Sequence, residues 1–260
     1  MAVIIFIVVL IIIIVSINSY NHKRNQELIE TVTSIDRGTN SELNLILKLL
    51  KSGVHPKTIF HDLIIKKQNH KFSQVDIVLA TTQGIVVIEV KDYSGWIFGN
   101  GHQNNWTQVM AYGKKKYRFY NPIKQINSQI LSLKNSLSQF EKIPFFPIIV
   151  FYGDCQLKDI NYVPEGTFIV KPNRILEALN TIKDSNPSAP YENKKAVVDK
   201  LKQAVKNGAN IDYHRQHVDN IRNMTGKHRI LDTNKGSLIG QVIFKNNLTY
   251  LFSIFVMFNN

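Results

Sequence analysis

With a single cysteine, Cys155, the chain has no intramolecular disulfide framework, no Cys-cluster zinc site, and no expectation of a disulfide-linked partner. A Walker A loop is also missing, since Gly99-Asn100-Gly101 lacks the lysine and the following helix that cradle a phosphate. The eight histidines are scattered, and only His214 and His217 fall three apart, which is weak support for a metal site. Acidic residues are outnumbered, 19 against 32 Lys+Arg, for a net charge of +13. The excess is shared by both halves of the chain, so it belongs to a charged surface rather than a tail. It predicts attraction to a polyanion, either nucleic acid or an anionic membrane. Hydrophobic residues at 44% and charged residues at 20% exclude wholesale disorder, and 260 residues make room for one good-sized domain or one domain with an appendage. No internal repeat is visible.

Residues 1–21 hold no charged side chain, and Ala2 to Val15 is an unbroken apolar run. As a helix, residues 2–20 span roughly 28 Å, enough to cross a bilayer core. No basic residue precedes the run and no small-residue cleavage site follows it, so a signal peptide fits poorly. Lys23 and Arg24 come next, which keeps the following domain cytoplasmic on a single-pass anchor. Residues 22–37 read as a juxtamembrane spacer and 38–184 as the main domain. The Pro- and Ser-rich stretch 185–193 reads as a linker, and 194–260 as a basic helical region with an apolar tail at 237–258.

Inside the main domain, 42–51 has the spacing of a helix with one buried face, and helices are also expected over 122–140 and 173–182. Short β-branched runs at 58–65, 75–80, 85–90, 145–153 and 167–170 read as strands, with a further pair at 95–99 and 105–109.

The chemistry concentrates in two of these runs, VDIVLA and IVVIEVK, joined by Thr81-Thr82-Gln83-Gly84. If they pair as a hairpin about that turn, Asp76 stands opposite Glu89, and Lys91 shares the face of Glu89. Directly opposed residues have Cβ atoms ~4.5–5.5 Å apart. Two carboxylates so close repel each other among Val, Ile and Leu, and a divalent cation offsets this; Mg²⁺ takes one or two carboxylates plus water and phosphate oxygens. A lysine beside them orients or helps deprotonate a water, or stabilises charge building on a phosphate. The pattern equally fits a surface ion pair on an edge strand.

At these residues the chain resembles the nuclease-related domain (NERD) branch of the PD-(D/E)xK nuclease superfamily. The likeness covers about residues 38–140: NSELNLILKLL, VDIVLATTQGIVVIEVKDYSGWIFGN, Trp106 and NPIKQINSQI. Val75 stands where the superfamily name has Pro. The resemblance implies an α/β fold with a restriction-endonuclease-like mixed central sheet flanked by helices, here behind an N-terminal transmembrane helix. It implies Glu42, Asp76 and Glu89 as ligands of Mg²⁺ or Mn²⁺, Lys91 as the catalytic lysine and Gln125 as an accessory group near the phosphate. The expected activity is hydrolysis of phosphodiester bonds, in DNA rather than RNA. The run holding Lys114, Lys115, Lys116 and Arg118 among Tyr117, Phe119 and Tyr120 is either a solvated face or a phosphate-contacting strip. Two other readings stay open: a membrane-tethered nucleic-acid-binding module without activity, and an adaptor whose basic surface rests on anionic lipid.

Overall fold

The computed structural model describes residues 1–66, 72–110 and 113–209. The apolar tail, His214 and His217, and the basic region past residue 209 lie outside the described residues. The first helix, α1 (Ala2–Glu30), runs without a break through the apolar segment, and residues 22–30 of the expected spacer continue it. Among the described residues it is the one helix long and apolar enough to cross a membrane, with a mean hydropathy of 2.9. Its side chains from Val3 to Ile17 face outward, and only near its end does Ile29 become buried.

Two mixed sheets follow where one was expected. The larger has the order β1 (Ile59–Lys66), β2 (Phe72–Ala80), β3 (Ile85–Asp92), β7 (Phe145–Tyr152) and β9 (Phe168–Val170). Its first three strands are antiparallel; β3, β7 and β9 run parallel. The smaller has the order β6 (Lys115–Tyr120), β5 (Asn105–Met110), β4 (Gly95–Asn100) and β8 (Cys155–Asn161). The basic run is thus an edge strand, β6, and residues 155–161 form a strand for which the sequence showed no apolar alternation.

The larger sheet is covered on both faces. On one lie α2 (Asn40–Lys51) and α4 (Ile175–Ser185), whose Leu45, Ile46, Leu49, Ile175 and Ile182 pack on Ile77, Val86, Ile88, Ile148 and Val150. On the other lie α3 (Pro122–Lys134), α5 (Lys194–Gly208) and the inner face of the smaller sheet. Trp106 stacks there on Phe151, 6.1 Å between centroids, with Ile97 and Phe119 beside it. The helix at 122–140 is shorter than expected: α3 stops at Lys134, and a separate single turn covers Ser138–Glu141.

Beyond the Pro- and Ser-rich stretch the chain returns to this sheet. Val197, Leu201 and Ala204 of α5 enter the core, and Gly208 passes so close to the Asp62 carbonyl that a Cβ would lie 1.9 Å from it. Leu201→Ala is therefore expected to lower stability by about 2–5 kcal/mol, read from urea denaturation of the whole chain. An unchanged midpoint would show that α5 stands outside the cooperative unit.

Candidate active site

The β2–β3 hairpin closes at Gly84, whose φ of +148° suits glycine and whose Cβ would meet the Pro144 carbonyl at 2.3 Å. From there the ladder pairs Ala80 with Ile85 and ends with Ile77 opposite Ile88, the register expected from the turn. Asp76 and Glu89 occupy the next positions. Instead of continuing the ladder, the Asp76 carboxylate accepts the backbone N–H of Val90 at 2.8 Å. On its other side β2 pairs with β1 through His61–Ile77 and Leu63–Val75, and the position between is skipped. Asp62 sits there with φ +54°, a left-handed conformation that aspartate tolerates. It is held by the Arg37 guanidinium at 2.8 Å and by Gln74 Nε2 at 2.9 Å.

Glu89 is 1% exposed, which a carboxylate sustains only with partners. Oε1 accepts from Lys91 Nζ at 2.5 Å and from Gln125 Nε2 at 2.6 Å, and Oε2 accepts from Gln129 Nε2 at 2.6 Å. Gln125 Oε1 in turn accepts from Lys91 Nζ at 3.0 Å, closing a three-membered ring of side chains. Gln129 Nε2 also donates to the Gln74 carbonyl at 2.9 Å, while its Oε1 is buried with no protein partner. Both glutamines lie on α3, one turn apart, and the start of α3 explains how they arrive. Asn121, fully buried, caps the helix through Ile123 N–H at 2.9 Å and donates to the carbonyls of Asn100, Gly101 and Gln103. Pro122 supplies a first residue that needs no donor. The Asn-Pro pair thus anchors α3 to the β4–β5 turn and aims Gln125 and Gln129 at β3.

Glu42 reaches the region from the first turn of α2. Thr39 caps that helix, accepting the Glu42 N–H at 3.3 Å and donating its hydroxyl to Glu42 Oε1 at 2.8 Å. Glu42 Oε2 meets His61 Nε2 at 2.9 Å, and His61 Nδ1 meets the Thr33 hydroxyl at 2.9 Å. Next to it, Ser41 donates to Asp92 at the end of β3, tying α2 to the strand that carries Glu89 and Lys91.

Charge makes this group one unit. Burial pushes the Asp76 carboxyl well above the usual range, Glu89 and then Glu42 add repulsion, and Lys91 and the Val90 N–H oppose them only in part. Burial works against the Lys91 ammonium, but Glu89 and Asp76 outweigh it and raise its pKa, so Lys91 is a cation at neutral pH.

The structure therefore brings Asp76, Glu89, Lys91 and Gln125 together, with Glu42 within electrostatic reach of Asp76. The carboxylate of Glu42 is turned to His61 and Thr39. Among the described residues no three His, Cys, Asp or Glu side chains gather closely enough to hold a metal. Lys115, Lys116 and Arg118 are exposed along β6, and Lys114 is exposed in the turn just before it. From the same strand, Phe119 places its ring 4.6 Å from that of Tyr93, a residue that acts electrostatically on Lys91. Three residues escaped the sequence reading: Gln129, His61 and Thr33. Gln129 alone had a local signal, lying four residues after Gln125 on one helix face.

Residues 37–152 match the family model described as nuclease-related domain, NERD. An uncharacterized protein of Bacillus anthracis is 25% identical over 141 residues, covering 54% of this chain and 65% of the relative. The match thus spans less than two thirds of that relative's length. No solved structure matches the chain.

Proposed function

We propose that the nuclease-related domain carried by residues 37–152 hydrolyses phosphodiester bonds in nucleic acid, DNA first, with a divalent metal, while α1 holds it at a membrane. The observation that carries this reading is the Asp76–Glu89–Lys91 group: two carboxylates and a cation converging at the end of a buried hairpin. The donor set is oxygen-only and suits Mg²⁺ or Mn²⁺, and burial together with the repulsion from Glu89 and Glu42 raises the Asp76 pKa, a penalty on its charge that a cation would relieve. Asp76 and Glu89 would hold the ion, and Glu42 would act from behind them. Such an ion supplies Lewis acidity and lowers the pKa of a bound water.

The chain's own groups do the rest. Lys91 stays protonated, so it orients the attacking water and faces the charge that builds on the phosphate, rather than removing a proton. Gln125 bridges the ammonium and the Glu89 carboxylate, and Gln129 fixes the second carboxylate oxygen. Lys23 and Arg24, just past the apolar run, favour a cytoplasmic position for the domain.

A second reading, a tethered binding module without activity, draws on one fact: both Glu89 oxygens are already satisfied by protein donors. Supercoiled plasmid incubated with the full chain in detergent separates the two. Nicking with Mg²⁺ or Mn²⁺ that chelator stops is the expected result. Intact DNA, and intact RNA in a parallel incubation, under every metal condition would overturn the nuclease reading in favour of a chain without activity.

A further inference from the structure

The outer face of the smaller sheet has a composition that the cleavage site does not use. In β4, Ile97 points into the core, so Trp96 and Phe98 point the other way. Register then places the neighbours. Trp96 lies opposite Val109, which lies opposite Lys116; Phe98 lies opposite Thr107, which lies opposite Arg118. From β8, the Lys158 ammonium sits 5.5 Å from the centre of the Trp96 ring. Trp96 is 37% exposed and Tyr120, at the end of β6, is 49% exposed. The two rows are about 6–7 Å apart along the strands, and each has an aromatic side chain on β4 and a cation on β6.

We infer that this face binds single-stranded nucleic acid, with bases stacked on Trp96 and Phe98 and phosphates held by Lys116, Arg118 and Lys158. The inference rests on the nucleic-acid reading above and adds the substrate's form. An open four-stranded face with aromatics on alternate residues offers π-surfaces to unpaired bases, which a duplex keeps stacked internally. The charge is complementary to phosphate, since Asp159 is the only acidic residue that the register places in either row. The strand bearing Lys116 and Arg118 also bears Phe119 on its inner side, its ring 4.6 Å from that of Tyr93, which follows Lys91 by two residues in the chain. A nucleic-acid strand crossing the β6 edge would be led from the platform toward Tyr93 and the end of β3.

The test uses the full chain in neutral-lipid nanodiscs, with Glu89→Gln to keep the substrate intact and chelator present. Fluorescence anisotropy follows binding of a labelled thymidine oligonucleotide and of a duplex of equal length. The single strand is expected to bind more tightly, and Trp96→Ala to weaken it about tenfold. Lys116→Gln, an exposed change that leaves the fold intact, is expected to lower the slope of log affinity against log salt by about 0.7. Equal affinity for duplex, or no effect of either substitution, overturns the inference even if the plasmid is cleaved. Binding with these sensitivities stands even if no cleavage is found. A blue shift of Trp96 fluorescence on changing to anionic lipid, with none on adding oligonucleotide, assigns the face to the membrane and overturns it.

Discussion

Asp76→Asn is expected to give a protein that no longer cleaves nucleic acid yet unfolds at a higher temperature than the wild type. Asparagine keeps an oxygen for the Val90 N–H and loses the charge that Glu89 and Glu42 repel. The sign with pH follows from the raised pKa. Protonated Asp76 is favoured in the folded state, so its stabilisation is complete below the unfolded value of about 3.9. It is lost as pH rises through the higher folded value. The gap in melting temperature between variant and wild type, measured in chelator, should therefore widen from acid to neutral pH. With saturating Mg²⁺ the gap should shrink, because a cation at Asp76 and Glu89 relieves the same repulsion. A variant that melts at or below the wild-type temperature across this range would contradict the electrostatic account.

Lys91→Met acts in the opposite sense on stability. The aliphatic stem remains, but Glu89 keeps its charge with only Gln125 and Gln129 as donors. Removing one partner of a buried ion pair costs about 3–5 kcal/mol, and the two carboxamides hold the loss toward the lower figure. Cleavage should fall by about 10²–10³, the range for removing one donor that faces the charge developing in a transition state. Adding Glu89→Gln to Lys91→Met should recover much of the stability and none of the activity, since the pair is then neutral on both sides. Denaturation and nicking rates measured on the three proteins decide this. Recovery of cleavage along with stability would place the chemistry elsewhere.

The hairpin register that brings Asp76 next to Glu89 was legible because a two-stranded hairpin is local, although the ladder itself ends one pair earlier, at Ile77 and Ile88. Gly84 marks the turn, side chains alternate with period two, and the register follows by counting. The same holds for the cap of α3, where Asn-Pro announces a helix start. β6 and β8 were not legible as strands, because an exposed edge strand needs no apolar alternation: five of the six residues of β6 are charged or carry a hydroxyl on an exposed ring. Glu42 was legible as a helix-borne acid, but its engagement by His61 was not, since His61 lies on β1, nineteen residues away, and meets α2 only once both pack on the sheet.

The amino-acid sequence by itself determined the apolar N-terminal helix, the α/β class and the β2–β3 hairpin whose open end carries Asp76, Glu89 and Lys91. These depend on runs and periods within a few residues of one another. Only the tertiary structure decided that Gln129 completes the hold on Glu89, that α5 returns to the core, and that Trp96, Lys116 and Lys158 share an open face. Those groupings join segments far apart in the chain, and burial of apolar surface between layers, not local backbone preference, brings them together.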